Sequence, residues 1–316
     1  MTGAGDESSE FERLATRVRN WQRWGPDDEL GTLNFITPER RVAAAALVRS
    51  GKVFSLSIPF GAAGPQSGIA NRVNPIHLML ATGADPAAYA MDLGGTARYT
   101  DDYVIMPLQC GTQWDSLAHV YYGERLYNGY AAETVTSQGA LRNGIDKAHE
   151  RFVSRGVLLD IARLKGVDVL DGGYAITAVD LEAAEAAEGV RVGPGDLLLV
   201  RTGLMSTWVA TGGWQGFAMP QPGLHWAVAG WVHDREVAAV ATDTSVVEVV
   251  GLMDGVQVPF HMLALRDMGL PLGEFWNLEA LASDCGEDGT YEFLLVAQAL
   301  PIVGAVGSPV NPIAIK

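Results

Sequence analysis

The stretch Gln109-Cys110-Gly111-Thr112-Gln113-Trp114-Asp115-Ser116-Leu117-Ala118-His119 decides how this chain is read. It follows a strand-like run, Tyr103-Val104-Ile105-Met106-Pro107-Leu108, and its Gly111-Thr112 pair supplies a turn. Four side chains with lone pairs, Gln109, Gln113, Asp115 and His119, are packed into that one short segment. A strand end that turns and presents such groups binds a metal, holds a substrate, or is a polar cluster that satisfies itself. The residues alone leave these open. Asp115 four residues before His119 also fits a helical ion pair. Trp114 serves equally as a substrate wall or a core filler. Cys110 reads as a buried thiol, since no positive neighbour is there to lower its pKa.

Outward from this stretch, the pattern is of strands alternating with helices at irregular spacing, which predicts a mixed α/β domain and not a regular barrel. Residues 1–9 read as an acidic disordered tail. Phe11, Leu14, Val18 and Trp21 recur at helical spacing and predict a helix over 11–24, with Trp21 and Trp24 packed on the body. Thr37 caps a second helix that has Pro38 at its first position and Gly51 beyond its end. Residues 53–58 alternate as a strand. The span 59–101 is long, rich in Gly and Pro and weakly periodic, the mark of a functional loop. His77 within it reads as a core or strand residue.

Tyr121, Tyr122 and Tyr127 form an aromatic loop. Strands are expected at 156–161, 195–201, 237–241, 293–297 and 302–304. Helices are expected at 181–188 (capped by Thr177 or Asp180 and stopped by Gly189), 222–231, 260–268 and 278–281. His261 lies on the third of these, and Asp243, at a strand end, is expected to hydrogen-bond a loop backbone. His149, His225 and His233 read as surface or helix-face residues.

Composition narrows the function. The 316 residues are 48% hydrophobic, enough for a large core, and carry a formal net charge of −15. Such a surface disfavours nucleic acid and anionic membranes, which need clustered Lys and Arg. The sequence holds no apolar run long enough to span a bilayer and no signal peptide at its start. Two cysteines without a CxxC spacing read as free thiols of a cytoplasmic protein. The serine-hydrolase elbow, the P-loop, the dinucleotide fingerprint and the zinc-protease HExxH are all missing from the sequence.

The 109–119 stretch resembles, without gaps, the signature H-x-G-T-H-x-D-x-P-x-H of the cyclase family, the group containing bacterial-type kynurenine formamidase and isatin hydrolase. Gly111, Thr112, Asp115 and His119 match. The resemblance continues in residues 195–203, 222–225 and 242–245, and in His261, Glu274, Asn277 and Leu278, and covers roughly residues 30 to 310. It implies a compact mixed-sheet α/β domain of the swivelling β/β/α type over residues 30–316, preceded by an acidic tail and helix over 1–29. It also implies a homodimer or homotetramer, for which the Trp-bearing N-terminal helix is the expected docking element.

The resemblance further implies a metal on Asp115, His119 and Glu274, and proton transfer by His261. The departures are Gln109 and Gln113, which stand where the signature has its first two histidines, and Leu117, which stands where it has proline. A neutral amide oxygen is a poorer zinc ligand than imidazole and suits harder ions. The expectation is one divalent metal (Mn, Zn or Mg), with Gln113 completing its shell. Gln109, Gln113, Trp114 and Tyr121 are expected to bind the substrate. The expected activity is hydrolysis of a C–N or C–O bond in a small cyclic amide, lactone or N-acyl compound, with Asp115, His261 and Glu274 at the reacting bond. The alternative is a metal-independent lyase, cyclase or isomerase that uses those same three as acid–base groups.

Overall fold

A computed structural model of the chain describes residues 4–85 and 97–316; residues 1–3 of the acidic tail and 86–96 of the long Gly/Pro-rich span lie outside the described residues. In chain order the first elements are α1 (Ala4–Arg17), α2 (Pro38–Ala45), β1 (Val53–Ser55), β2 (Ile76–Ala81), β3 (Asp101–Ile105) and β4 (Gln113–Asp115). Two short strands follow, β5 (Val135–Thr136) and β6 (Gly139–Ala140). Next come β7 (Val153–Asp160), α3 (Ile161–Lys165), β8 (Ala175–Ile176), α4 (Ala178–Glu188), β9 (Leu197–Arg201) and α5 (Leu204–Thr211). The last part runs β10 (Gly223–Leu224), α6 (Val228–Asp234), β11 (Ala239–Thr242), α7 (Pro259–His261), β12 (Leu272–Glu274), α8 (Glu279–Asp288), β13 (Glu292–Val296), β14 (Gly307–Pro309) and β15 (Ile313–Ile315).

Nine strands form one mixed sheet in the order β1-β15-β13-β7-β9-β11-β12-β4-β14. The centre, β7-β9-β11-β12, is parallel, and the pairs at both edges are antiparallel. The innermost strands, β9 and β11, are apolar along most of their length because both of their faces are covered. One face carries Val157, Leu159, Leu198, Val200, Val240 and Leu272 into a core with α1, α4 and α6. The other carries Leu158, Leu197, Leu199, Ala239 and Ala241 into a core with Trp114, Phe152, Trp276 and α8. The expected α/β class and mixed sheet are both present.

Local chemistry explains most of the elements the sequence predicts. Thr37 caps α2 and accepts from the Arg40 N–H. Thr177 and Asp180 form a reciprocal capping box at α4, and Gly189 ends that helix in the left-handed conformation. Where the reading differs, tertiary contacts decide. Helix α1 starts at Ala4, inside the stretch read as a disordered tail. It ends at Arg17, short of the expected 24.

Trp21 and Trp24 follow on turns and pack on the body as expected. The Trp21 indole N–H donates to the Arg266 carbonyl at 2.8 Å, and Trp24 meets Phe35 edge-on. Phe11, Ala15 and Val18 are buried in the chain's own core, so the apolar face of α1 is already covered. The expected strand at 302–304 is a turn, and β14 forms the last antiparallel pair instead. The expected helix from 222 begins only at Val228, because Gly223 and Leu224 pair with Ala175 and Ile176. The run leading into the 109–119 stretch belongs to a separate exposed hairpin, β2–β3, and not to the large sheet.

Candidate functional site

Strand β4 sits between β12 and β14 and is antiparallel to both. Its register sets Gln113 opposite Glu274, Trp114 opposite Gly273, and Asp115 opposite Leu272 and Gly307. Directly opposed residues project to the same face of a sheet, and successive residues to opposite faces. Gln113, Asp115 and Glu274 therefore share one face, while Trp114 points to the other. Trp114 is fully buried, stacks on Phe152 at 4.7 Å and donates its indole N–H to the Ala297 carbonyl. It is a core residue and not the substrate wall expected of it. Gly273 makes room for it: a Cβ there would lie 2.8 Å from the Trp114 ring and 2.7 Å from Ala241.

His261 closes the set. It ends α7 and leads directly into a π-helix, Met262–Met268, a rare geometry often found at functional sites. Glu248 holds it from behind, accepting from the Phe260 N–H at 2.6 Å, from the His261 N–H at 2.8 Å and from Nδ1 at 2.7 Å. Nε2 is thereby turned to Glu274 Oε1 at 3.3 Å and Asp115 Oδ2 at 3.8 Å. Gln113 Nε2 donates to Glu274 Oε2 at 2.8 Å and to Asp115 Oδ1 at 3.4 Å. His119 Nε2 stands 3.7 Å from Asp115 Oδ1, on the other side of that carboxylate from His261. Neither Asp115 nor His119 is helical, so they are not an i,i+4 helix pair.

Buried charge dominates this cluster. Burial pushes the Asp115 carboxyl up to about 6, with His119 opposing the rise and Glu274 adding to it. Burial holds His119 below its ordinary value, against the pull of Asp115. Burial also disfavours the His261 cation, but its bonds to Glu248 and Glu274 outweigh that and push it up to about 10. Three buried acids, Asp115, Glu248 and Glu274, thus surround the His261 ring. Three buried polar atoms of the 109–119 stretch have no hydrogen-bond partner among the described residues: Gln109 Nε2, Gln113 Oε1 and Asp115 Oδ2. Unpaired groups this deep are costly unless something else meets them.

A bound cation is one such partner. Asp115, His261 and Glu274 each offer a ligand atom, and these lie within 4.8 Å of one another, so the three could hold a metal. Glu248 behind His261 is the orienting carboxylate that metal-binding histidines characteristically have. The donor set therefore fits a divalent ion. His119, expected as a ligand, lies next to the set but outside it, and His261, expected to move protons, lies inside it.

Of the other sequence candidates, Gln109 lies over Gly307, where an added Cβ would come within 2.3 Å of its Nε2. Gly307 opposes Asp115, so the Gln109 amide is laid over the same face. Tyr121 is exposed and makes no hydrogen bond or ring contact with the set. His77 pairs with Asp102 on the exposed hairpin, far from a ligand's role. Asp243 accepts from the Thr202 and Gly203 N–H groups at 2.9 and 2.8 Å, the backbone role expected of it. Cys110 is buried, as expected, and burial raises its thiol pKa. Glu248 escaped the sequence reading; its one signal was an acid inside the apolar run Val246-Val247-Glu248-Val249-Val250.

Fold and site together define an α/β protein whose sheet carries a buried Asp–His–Glu set able to hold a metal. The chain belongs to the Putative cyclase family, which matches over residues 54–249. It is similar, at 45% identity and a TM-score of 0.87 over 95% of this chain and 100% of the other, to a novel cyclase of known crystal structure. It shares its fold with isatin hydrolase A from Ralstonia solanacearum (19% identity, TM-score 0.63, 89% of this chain and 98% of the other). It also shares it with a predicted metal-dependent hydrolase from Bacillus stearothermophilus (15% identity, TM-score 0.51, 84% and 98%). A search of curated proteins returned no match. Among the described residues, no helix is long and apolar enough to cross a membrane.

Proposed function

We propose that this protein hydrolyses a C–N or C–O bond in a small cyclic amide, lactone or N-acyl compound. The buried Asp115, His261 and Glu274, with ligand atoms within 4.8 Å of one another, carry the reading. The hydrolases that share the fold support it. One divalent ion, Mn, Zn or Mg, would be held by these three residues. When bound, it would polarise the scissile carbonyl and bring a water toward ionisation at neutral pH.

The chain's own groups supply the rest. Gln109 and Gln113 replace the first two histidines of the family signature, and their unpartnered amide atoms turn that half of the site toward substrate. Gln109 Nε2 is a free donor for a carbonyl oxygen that gains charge. Gln113 is pinned by its bonds to Glu274 and Asp115 and leaves Oε1 as an acceptor for a substrate N–H or O–H. The two histidines divide the roles of ligand and proton donor. Glu248 behind His261 favours His261 as ligand and leaves His119, beside Asp115, to deliver the proton to the leaving group. This reverses the division that the family resemblance implies.

A second reading has a specific observation behind it. The Gln113 amide already joins Asp115 and Glu274, and His261 as a cation balances them. In this form the three could serve as metal-independent acid–base groups of a lyase, cyclase or isomerase.

The test is a panel of lactones, cyclic imides and formamides, run with elemental analysis of protein purified without chelator. Glu274→Gln is expected to abolish turnover while melting near the parent. His261→Asn should lose the metal, and His119→Asn should keep it but lose turnover. Metal-free protein whose activity survives EDTA would exclude the metal-dependent reading. Unchanged kcat in Glu274→Gln would exclude both.

A further inference from the structure

Strand register fixes Asp115 and Glu274, but neither histidine of the site lies on a strand. His119 sits in a turn after β4, and His261 caps the π-helix Met262–Met268. Both rings must nonetheless reach Asp115, His119 Nε2 at 3.7 Å from Oδ1 and His261 Nε2 at 3.8 Å from Oδ2. Glu248 holds the His261 ring but not the helix that follows it. A π-helix is rare and usually a single turn, so one of this length needs support from outside itself.

That support comes from the N-terminal part of the chain. The last carbonyls of a helix have no partner within it. Here the Trp21 indole N–H donates to the Arg266 carbonyl at 2.8 Å, and the Asn20 N–H to the Asp267 carbonyl at 2.9 Å. The Asn20 side-chain amide donates to the Met268 carbonyl at 3.0 Å, and the Thr32 N–H to the Gly269 carbonyl at 2.8 Å. Gly269 closes the helix in the left-handed conformation, at φ 69°, with its N–H on the Ala264 carbonyl.

A knot of side chains lies on the same clasp. Asp267 is fully buried and accepts from Arg19 Nε at 3.0 Å, from Arg266 Nη1 at 2.7 Å and from the Tyr122 hydroxyl. A buried acid is tolerable when cations and donors meet it in this way. The Arg266 guanidinium lies over the Trp21 ring at 4.6 Å and over the Tyr122 ring at 4.1 Å. Phe11 of α1 meets Tyr122 edge-on at 6.0 Å. Tyr122 is three residues beyond His119, and Asp267 is six beyond His261. Asp267 is therefore the point where the two runs of backbone leading from the histidines are tied together. Its bonds go to Arg19, Arg266 and Tyr122 and not to the reacting groups, so it can act on the chemistry only through the placement of others.

We propose that Asp267 is a positioning residue that holds His119 and His261 in register across Asp115 by tying Tyr122 to the π-helix, with residues 19–21 as the clasp that keeps the tie closed. The proposal rests on the reading of His261 as a metal ligand and His119 as the proton donor.

The test reads the ring ¹⁵N signals of the six histidines in the whole protein, labelled at histidine and stripped with EDTA, alongside calorimetric titration with cobalt(II). Tyr122→Phe removes one hydroxyl and keeps the ring over Arg266. It should melt close to the parent, shift the His119 and His261 signals, and leave those of His77 and His149 in place. Asp267→Asn should shift the same two signals further and weaken cobalt(II) binding by about tenfold, the lower end of the loss expected when a group that orients metal ligands is removed. If Asp267→Asn does not fold, Tyr122→Phe decides alone. Unmoved His119 and His261 signals in Tyr122→Phe would overturn the proposal, and so would equal shifts at His77 and His149, which mark a disturbance of the whole fold. A parent that binds no cobalt(II) while the paired shift is present would sink the metal reading and leave the positioning role standing. Cobalt(II) bound by the parent, with affinity and signals unchanged in both variants, would do the reverse.

Discussion

Glu188 shows how one side chain sets a pH dependence apart from the site. Its Oε1 accepts from the Asp160 N–H at 2.8 Å, but its Oε2 is buried without a partner. Burial pushes its carboxyl from 4.5 up to about 8, against that one hydrogen bond. Between those values the folded chain keeps a proton that the unfolded chain has lost. Stability from this group is therefore full below about pH 4.5 and is lost as pH rises toward 8, by at most about 1.4 kcal/mol per pH unit. Glu188→Gln should match the parent in denaturant at pH 4.5 and exceed it at pH 8.5. The same difference at both pH values would refute this. In the site, individual residues were legible from the sequence by chemical type. Asp115, Glu274 and His261 were named from the family signature and its later segments. Glu248 was not, because an acid in an apolar run has no local partner to announce it.

At the scale of elements, β4 places the site. Three residues of strand carry a polar face, Gln113 and Asp115, and an apolar one, Trp114. The sequence left Trp114 undecided because a short stretch does not say which face meets the core. Pairing with β12 settles it by setting Trp114 opposite Gly273. Trp114→Ala should then cost about 3–5 kcal/mol in chemical denaturation, the range for truncating a buried aromatic. Tyr121→Ala, at an exposed position, should change stability by about 0.5 kcal/mol or less. Similar costs for both would argue against this register. The element-level misreadings share a cause. At 222–231 and 302–304, pairing partners distant in sequence overrode local pattern, and at 4–9 a helix formed where acidity suggested none.

At the scale of the whole molecule, one surface stands out. In the β2–β3 hairpin, Ile76 pairs with Ile105 and Leu78 with Tyr103, so one face presents Ile76, Leu78, Tyr103 and Ile105. All four are exposed, Ile76 at 48% and Ile105 at 57%. A contiguous apolar face of this kind is characteristic of an association surface. We propose that a second copy of the chain covers it. Leu78→Asp with Ile105→Asp should lower the mass in solution from an oligomer toward the monomer with little change in melting. A parent already monomeric at micromolar concentration would refute it. The sequence by itself determined the α/β class, the caps of α2 and α4, the family and the residue types of the site, because these follow from periodicity, local hydrogen bonding and short signatures. Only the tertiary structure decided that Glu248 orients His261 and that His261 rather than His119 joins Asp115 and Glu274. Those relations depend on strand register and loop ties between residues far apart in the chain, and no local pattern encodes them.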